Sequence, residues 1–314
     1  MTGCELALAC VLDATFGDPR GLPHPVRLMG RMIASYERVA RSIVNSEKGL
    51  RTAGIVLALG LPALAYGFGW WAIDLGGKLH ATVGTAILVF LAYTTLTARD
   101  LVGHALSVKR ALEMDSLIDA RVAASRIVGR DTAELDEPEV VRATVETIAE
   151  SACDGVIAPL CYLALGGPPL ALAYKTVSTL DSMVGYRDAR YRALGWAAAR
   201  LDDVVNWIPA RITGVLLVVA AGIWTNRLGQ AWRIFYRDGG KHPSPNSGRP
   251  EAAMAGALGV QLGGTNCYGG RPEQRPRLGD ARVIIAPAHI TAALCLMAVA
   301  SLIAATVVVT VLSL

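Results

Sequence analysis

The chain has 314 residues, of which 53% are hydrophobic and only 18% charged, with a mean hydropathy of +0.41. A soluble globular protein carries about a quarter charged residues, so this composition excludes a fold surrounded by water alone. The net charge is only +4, and the basic residues gather in a few segments, which argues against nucleic acid as a partner. The N-terminal apolar run does not read as a cleaved signal, because no basic residue precedes Arg20 and Asp13 interrupts it. Gly17-Asp18-Pro19 is a turn signature, and Pro23-His24-Pro25 holds an imidazole on a stiff, extended backbone.

Residues 52–73 and 79–98, and the whole stretch 283–314, contain no Asp, Glu, Lys or Arg. Each reaches the roughly 20 residues needed to cross a bilayer core. Segment 17–51 holds seven Lys and Arg, 99–130 holds six, and 226–282 holds nine, whereas none follows Arg282. The positive-inside rule places these three segments in the cytoplasm and the C-terminus outside.

Two weaker apolar windows, 156–174 and 212–226, lie between those segments. The first contains Gly166-Gly167-Pro168-Pro169 and the second is about fifteen residues long, so both are read as broken or re-entrant rather than full spans. The cytoplasmic pieces predict helices. Ser116 starts one that ends near Gly129, and Asp136 caps another that runs through Ile148. No alternating strand pattern and no internal repeat is visible. The expected class is all-α: a multi-pass helical membrane protein forming one domain over 1–314, in the cell membrane. The six cysteines lack zinc or disulfide spacing.

Three clusters could carry chemistry. Glu146, Glu150 and Asp154 are spaced one helical turn apart. Such a row is either a solvated acidic face answered by Arg142 or a seat for a divalent ion, and Mg²⁺ takes one or two carboxylates plus substrate phosphates. Between 175 and 211, Lys175, Asp181, Tyr186, Arg187, Asp202, Asn206 and Arg211 adjoin apolar runs, where charges are costly and tend to be paired or functional. The densest stretch is 240–268. Two prolines bracket Ser244, and Lys241, His242, Asn246, Ser247, Arg249 and Glu251 follow one another closely before a run of small residues.

Five ordered motifs resemble one family along nearly the whole chain. They are LD…GDP…PHPV at 12–26, VET..AES..DGVIAPL at 145–160, TLDSMVGY at 179–186, RLDDVVNWIPARITG at 200–214, and KHPSPNSG..EAAMAGALGVQLGG at 241–264. In these the sequence is similar to the adenosylcobinamide-phosphate synthase family, integral membrane enzymes of cobalamin biosynthesis. Ser151 and Ser178 stand where that family commonly has Asn, and Cys267 where it commonly has Tyr.

The resemblance implies ATP-dependent attachment of aminopropanol phosphate, or a related amino-alcohol phosphate, to a propionate carboxylate of adenosylcobyric acid. ATP and Mg²⁺ are then the expected cofactors. Glu146, Glu150 and Asp154 are the expected metal ligands, with Asp181 as a further ligand or the base. Lys175, Arg187, Lys241 and Arg211 are expected to hold phosphates. Asp18, His24, Tyr186, Asp202, Asn206, His242, Ser244, Asn246 and Asn266 are expected to line the substrate site. The active face is expected to be cytoplasmic, with later membrane enzymes of the pathway as further partners. The competing reading is a non-catalytic ligand-binding or signalling membrane protein of the same superfamily.

Overall fold

Capping chemistry starts the helices where the local sequence permits. The computed structural model describes residues 1–18, 24–186 and 188–314. Thr2 and Glu5 form a capping box at α1 (Gly3–Phe16). Pro25 opens α2 (Pro25–Ile43), at a position whose N–H no helical bond needs. Ser46 caps α3 (Glu47–Leu79), and α4 (Ala81–Tyr93) follows directly. Next come α5 (Ala98–Glu113) and α6 (Leu117–Ala124), capped by Ser116 as expected but ending short of Gly129. Asp136 and Glu139 form the capping box of α7 (Glu137–Ala152).

A π-helical turn, Cys153–Ile157, leads into α8 (Ala158–Val184), which is non-helical at Gly166 and Gly167. Then follow α9 (Trp196–Val205), α10 (Trp207–Trp224), α11 (Leu228–Asp238) and α12 (Gly248–Leu258). The chain closes with strands β1 (Leu262–Tyr268) and β2 (Arg271–Leu278) and a final helix, α13 (Ala288–Val311).

Five helical stretches are long and apolar enough to cross a membrane: Glu47–Leu79, Ala81–Glu113, Glu137–Val184, Trp207–Trp224 and Ala288–Val311. The expected span 52–73 lies within the first, 79–98 falls almost wholly on the second, and 283–314 is helical only over Ala288–Val311. The window 79–98 is not one helix, however, because α4 stops at Tyr93. The buried hydroxyls of Thr94 and Thr95 bond back to the carbonyls of Leu91 and Ala92 there. The break expected in 156–174 is found at Gly166–Gly167. The window 212–226 forms the body of an 18-residue helix, longer than its apolar run because Trp207 and Pro209 start it early.

The helical class holds, with one correction. The sequence shows no alternating strand pattern, yet β1 and β2 form an antiparallel hairpin with Tyr268 opposite Arg271. Its two-residue turn is Gly269-Gly270, both at positive φ, as tight hairpins require. Pro272 and Pro276 disguise β2, and a two-stranded ribbon tolerates them because both of its strands are edges.

The chain divides into two units built from interleaved segments. The first comprises residues 1–97, 158–206 and 305–314, and the second 98–157 and 207–304. In the first unit α3 packs against α8 and α9, and Ile33, Leu57, Leu61, Leu180 and Val184 form one core cluster. The opposite side of α3 exposes Leu59, Leu64, Phe68, Trp70 and Trp71, which suits lipid. Among lipid tails, close packing and not water exclusion favours such helix contacts. The second unit joins α10, α11 and α12 to one another and sets α7 beside α12 and β1.

Candidate active site

The second unit holds most of the chemistry-bearing residues, and it begins from α7. Arg142 and Glu146 are one turn apart on that helix, and Arg142 Nη1 donates to Glu146 Oε1 at 3.3 Å. Arg130 donates to the other oxygen, Oε2. Gly263 adds its backbone N–H to Oε1 at 2.7 Å. Its φ of +81° is what lets the bulged strand turn that N–H inward. The same two arginines converge on Asn266 Oδ1, and Arg142 also donates to the Thr265 carbonyl at 3.1 Å.

Glu146 is therefore the centre of a buried clamp that fastens the hairpin to α7. The guanidinium of Arg130 stays protonated against the cost of burial because Glu146 lies against it. Both Glu146 oxygens are engaged by protein donors. The sequence left this carboxylate either solvated and answered by Arg142 or bound to metal; it is answered by Arg142, but inside the protein.

Glu150, one turn on, is in a different state. Its carboxyl lies within hydrogen-bonding reach of that of Glu251 on α12 and of the Ser247 hydroxyl. Two carboxyl groups can share a hydrogen bond only if one keeps a proton. Glu251 is buried. Burial first, then the nearby charges of Glu150 and Glu146, push its carboxyl well above the ordinary range. Asp154, the third member of the expected row, lies in the π-helical turn. The winding widens there, and the one-turn spacing that aligned the three carboxylates is lost. Among the described residues no group of three or more His, Cys, Asp and Glu side chains is arranged to hold a metal ion.

The stretch from 238 to 247 closes on itself. Asp238 is buried and accepts from Arg237 Nη2 at 2.6 Å, Lys241 Nζ at 2.6 Å and the Gly279 N–H at 2.9 Å. It ties the start of this loop to the end of β2. The Arg237 contact, working against burial and helped by Lys241 and Gly279, holds its carboxyl below the usual range. Lys241 is thus fixed by a carboxylate. His242 Nδ1 accepts from the Ser244 N–H at 3.1 Å, so the neutral ring carries its proton on Nε2. That nitrogen is 3.9 Å from Glu251 Oε1. Ser244 Oγ accepts from the N–H groups of Asn246 and Ser247. The two flanking prolines leave no helical alternative for these residues.

The first unit gathers the remaining expected residues in smaller groups. His24 Nε2 lies 2.9 Å from Asp18 Oδ1, and both atoms are buried. Tyr174 donates to Asn206 Oδ1 at 2.9 Å, and Asn206 Nδ2 donates to Asp202 at 3.0 Å. Tyr162 stacks on Tyr174 with ring centres 4.7 Å apart. Lys175 is buried, Asp181 half-buried, and Tyr186 exposed beside Tyr191. Arg187 lies outside the described residues.

Sequence reasoning left Arg130, Asp238, Glu251 and Arg249 without a role. Glu251 was the most findable of these, because it follows the densest motif and opens a helix of small residues. Arg130 offered no local signal, since Glu146 and Asn266 lie 16 and 136 residues away, and the sequence shows Asp238 beside Arg237 and Lys241 but not its bond to Gly279.

Comparison with known proteins converges on one family. A family model described as CobD/Cbib protein matches residues 6–297. A cobalamin biosynthesis protein CobD from Geobacter metallireducens is 50% identical over 278 residues, covering 88% of this chain and 86% of that protein. A cobalamin biosynthesis protein CbiB from Salmonella typhi is 44% identical over 304 residues, covering 97% and 95%. A CobD from Klebsiella pneumoniae subsp. pneumoniae is 45% identical over 301 residues, covering 96% and 94%. No solved structure matches the chain.

Proposed function

Because the chain belongs to the CobD/CbiB family of cobalamin biosynthesis proteins, we propose that it joins an amino-alcohol phosphate to a propionate carboxylate of adenosylcobyric acid, using ATP. The product is adenosylcobinamide phosphate. The observation that carries this reading is the close carboxyl pair Glu150–Glu251, with His242 Nε2 3.9 Å from Glu251 and Lys241, the residue before His242, held by Asp238.

A carboxylate does not condense with an amine near neutral pH until one of its oxygens becomes a leaving group. Transfer of the γ-phosphoryl group of ATP to the carboxylate supplies one, giving an acyl phosphate and ADP. The amine then attacks the acyl carbon, phosphate departs, and the amine nitrogen gives up a proton. Glu150, when it holds no proton itself, accepts one and can share it with Glu251, whose carboxyl burial and its acidic neighbours push up. Lys241, fixed by Asp238, presents a cation to phosphoryl oxygens.

The donor set also bears on the metal. Glu146 does not fit a cation, since its oxygens are filled by two arginines and a backbone N–H. Glu150, Glu251 and the Ser247 hydroxyl offer only hard oxygen donors, which fits Mg²⁺ completed by substrate phosphates. Bound there, Mg²⁺ would neutralise phosphate charge during transfer.

Purified protein given ATP, Mg²⁺, adenosylcobyric acid and aminopropanol phosphate is expected to form the amide, detected by mass spectrometry. Product formed without nucleotide and with EDTA present would overturn the reading. We further propose that segments 226–282 and 175–211 face the cytoplasm, where ATP resides. A cysteine at the exposed position Ala189, in a background without native cysteines, should resist impermeant thiol reagents until cells are opened. Ready labelling from outside would place 175–211 across the membrane.

A further inference from the structure

Four cations around the second unit's buried carboxylates are matched to them: Arg130 and Arg142 to Glu146, and Arg237 and Lys241 to Asp238. Arg211 and Arg249 are not. Neither is paired with a carboxylate among the described residues, although both are half-buried. Arg211, the fifth residue of α10, donates to the Trp207 carbonyl at 2.6 Å and lies 3.9 Å from the centre of that residue's ring. Arg249, the second residue of α12, lies 5.5 Å from the centre of the Phe235 ring. Its Nε is buried and has no hydrogen-bond partner among the described residues.

The helices that carry the two arginines also meet: Phe235, beside which the Arg249 guanidinium lies, is the nearest neighbour of Gly214, one turn after Arg211. A Cβ added at Gly214 would stand 3.3 Å from the Arg249 carbonyl, so α10 and α12 meet at this point. Two like charges half out of water repel, and an orphaned donor adds a cost, unless an anion joins them. The start of α12 contributes its positive end, and no side chain caps its amides.

We propose that Arg211 and Arg249 form a binding site for the phosphate group of a phosphate ester. Guanidinium forks match phosphate oxygens. Three sources share this chemistry: the nucleotide, the amino-alcohol phosphate and a phospholipid headgroup. Only the choice among them rests on the proposed ligase reading; anion binding itself does not.

The test uses the full chain in a neutral detergent free of phospholipid. Inorganic phosphate, ATP, aminopropanol phosphate and short-chain phosphatidylglycerol are titrated separately, with adenosine and aminopropanol as phosphate-free controls. At least one phosphate-bearing probe should bind while its control does not, and Arg249→Gln and Arg211→Gln should each weaken it about tenfold or more. The probe that loses affinity identifies the source. Arg249→Lys, which keeps charge but loses the fork, should fall between wild type and Arg249→Gln. In phosphate-free buffer Arg249→Gln should melt no lower than wild type, because repulsion is relieved. Absence of phosphate binding in wild type, equal binding in both Gln variants, or a lower melting point for Arg249→Gln would each overturn the site. The two readings fail separately. Arginine-dependent phosphate binding without amide formation would sink the ligase reading alone, whereas amide formation with phosphate binding unchanged in both variants would sink this site alone.

Discussion

Glu146 and Glu150 are four residues apart on one helix, and the second unit treats them in opposite ways. Glu146 sits among Arg130, Arg142 and the Gly263 N–H, with more positive than negative charge around it. Glu150 faces Glu251 and the Ser247 hydroxyl, and the His242 imidazole lies 3.9 Å from Glu251. A saturated carboxylate is inert: it cannot take a metal or a proton without losing bonds that hold the hairpin. An acid pair short of positive charge can take either. The comparison separates a fastening from the proposed site, although periodicity puts both residues on one helix face.

The largest expected effect breaks the fastening. Glu146→Ala leaves two buried guanidiniums uncompensated, and removing one partner of a buried charge pair costs about 3–5 kcal/mol. The hairpin should come loose, so in a chain retaining only Cys267 the thiol should label much faster than in the wild-type background. A melting temperature and labelling rate matching wild type would show that the clamp does not hold the hairpin. Glu150→Gln should do the reverse. The shape and the hydrogen bond to Glu251 survive, so melting should change little, while turnover falls by about a hundredfold or more, as expected for a lost general base. Full turnover in that variant would move Glu150 into the same class as Glu146.

This contrast also marks how much could be read from the sequence. Helical class, the capped starts at Ser116 and Asp136, the apolar spans and the break at Gly166–Gly167 were all legible, because each rests on neighbouring residues. The hairpin was not: its one strong local sign, Gly269-Gly270, is followed by prolines and arginines that argue against a strand. The site was half legible. Glu146, Glu150, Lys241, His242 and Asn266 stood out by type, but their roles depend on partners far along the chain. Arg130 meets Asn266 across 136 residues, and Gly279 meets Asp238 across 41. Periodicity places carboxylates on a common face, yet says nothing of which will meet an arginine and which another acid.

Asp238 and Glu251 extend the comparison to pH, with intermediate effects of opposite sign. Asp238 has its carboxyl lowered in the folded protein by Arg237, Lys241 and the Gly279 N–H. Its stabilisation is therefore present above the unfolded value of about 3.9 and is lost as pH falls through the folded one. Asp238→Asn should flatten the acid side of the melting-temperature profile and release Lys241. An unchanged acid limb would mean that the contacts of Asp238 contribute nothing net to stability.

The smallest effect expected is on the alkaline side, at Glu251. Its folded carboxyl is raised by burial and by Glu150 and Glu146, so between the unfolded value, about 4.3, and the folded one the native state binds more protons than the unfolded state. Stability from this group is complete below about pH 4 and is lost as pH rises through the folded value, by at most about 1.4 kcal/mol per pH unit. Glu251→Gln imitates the protonated carboxyl: it keeps a donor for Glu150 and removes the ionisation that burial penalises. The variant should therefore melt close to wild type near pH 5 and above it near pH 8, with a flatter profile between. The turnover profile should move too, since Glu150 would then face a fixed amide instead of a proton it can share. A variant whose melting curve keeps the wild-type slope would place the shared proton elsewhere, and the proposed base would have to work without Glu251.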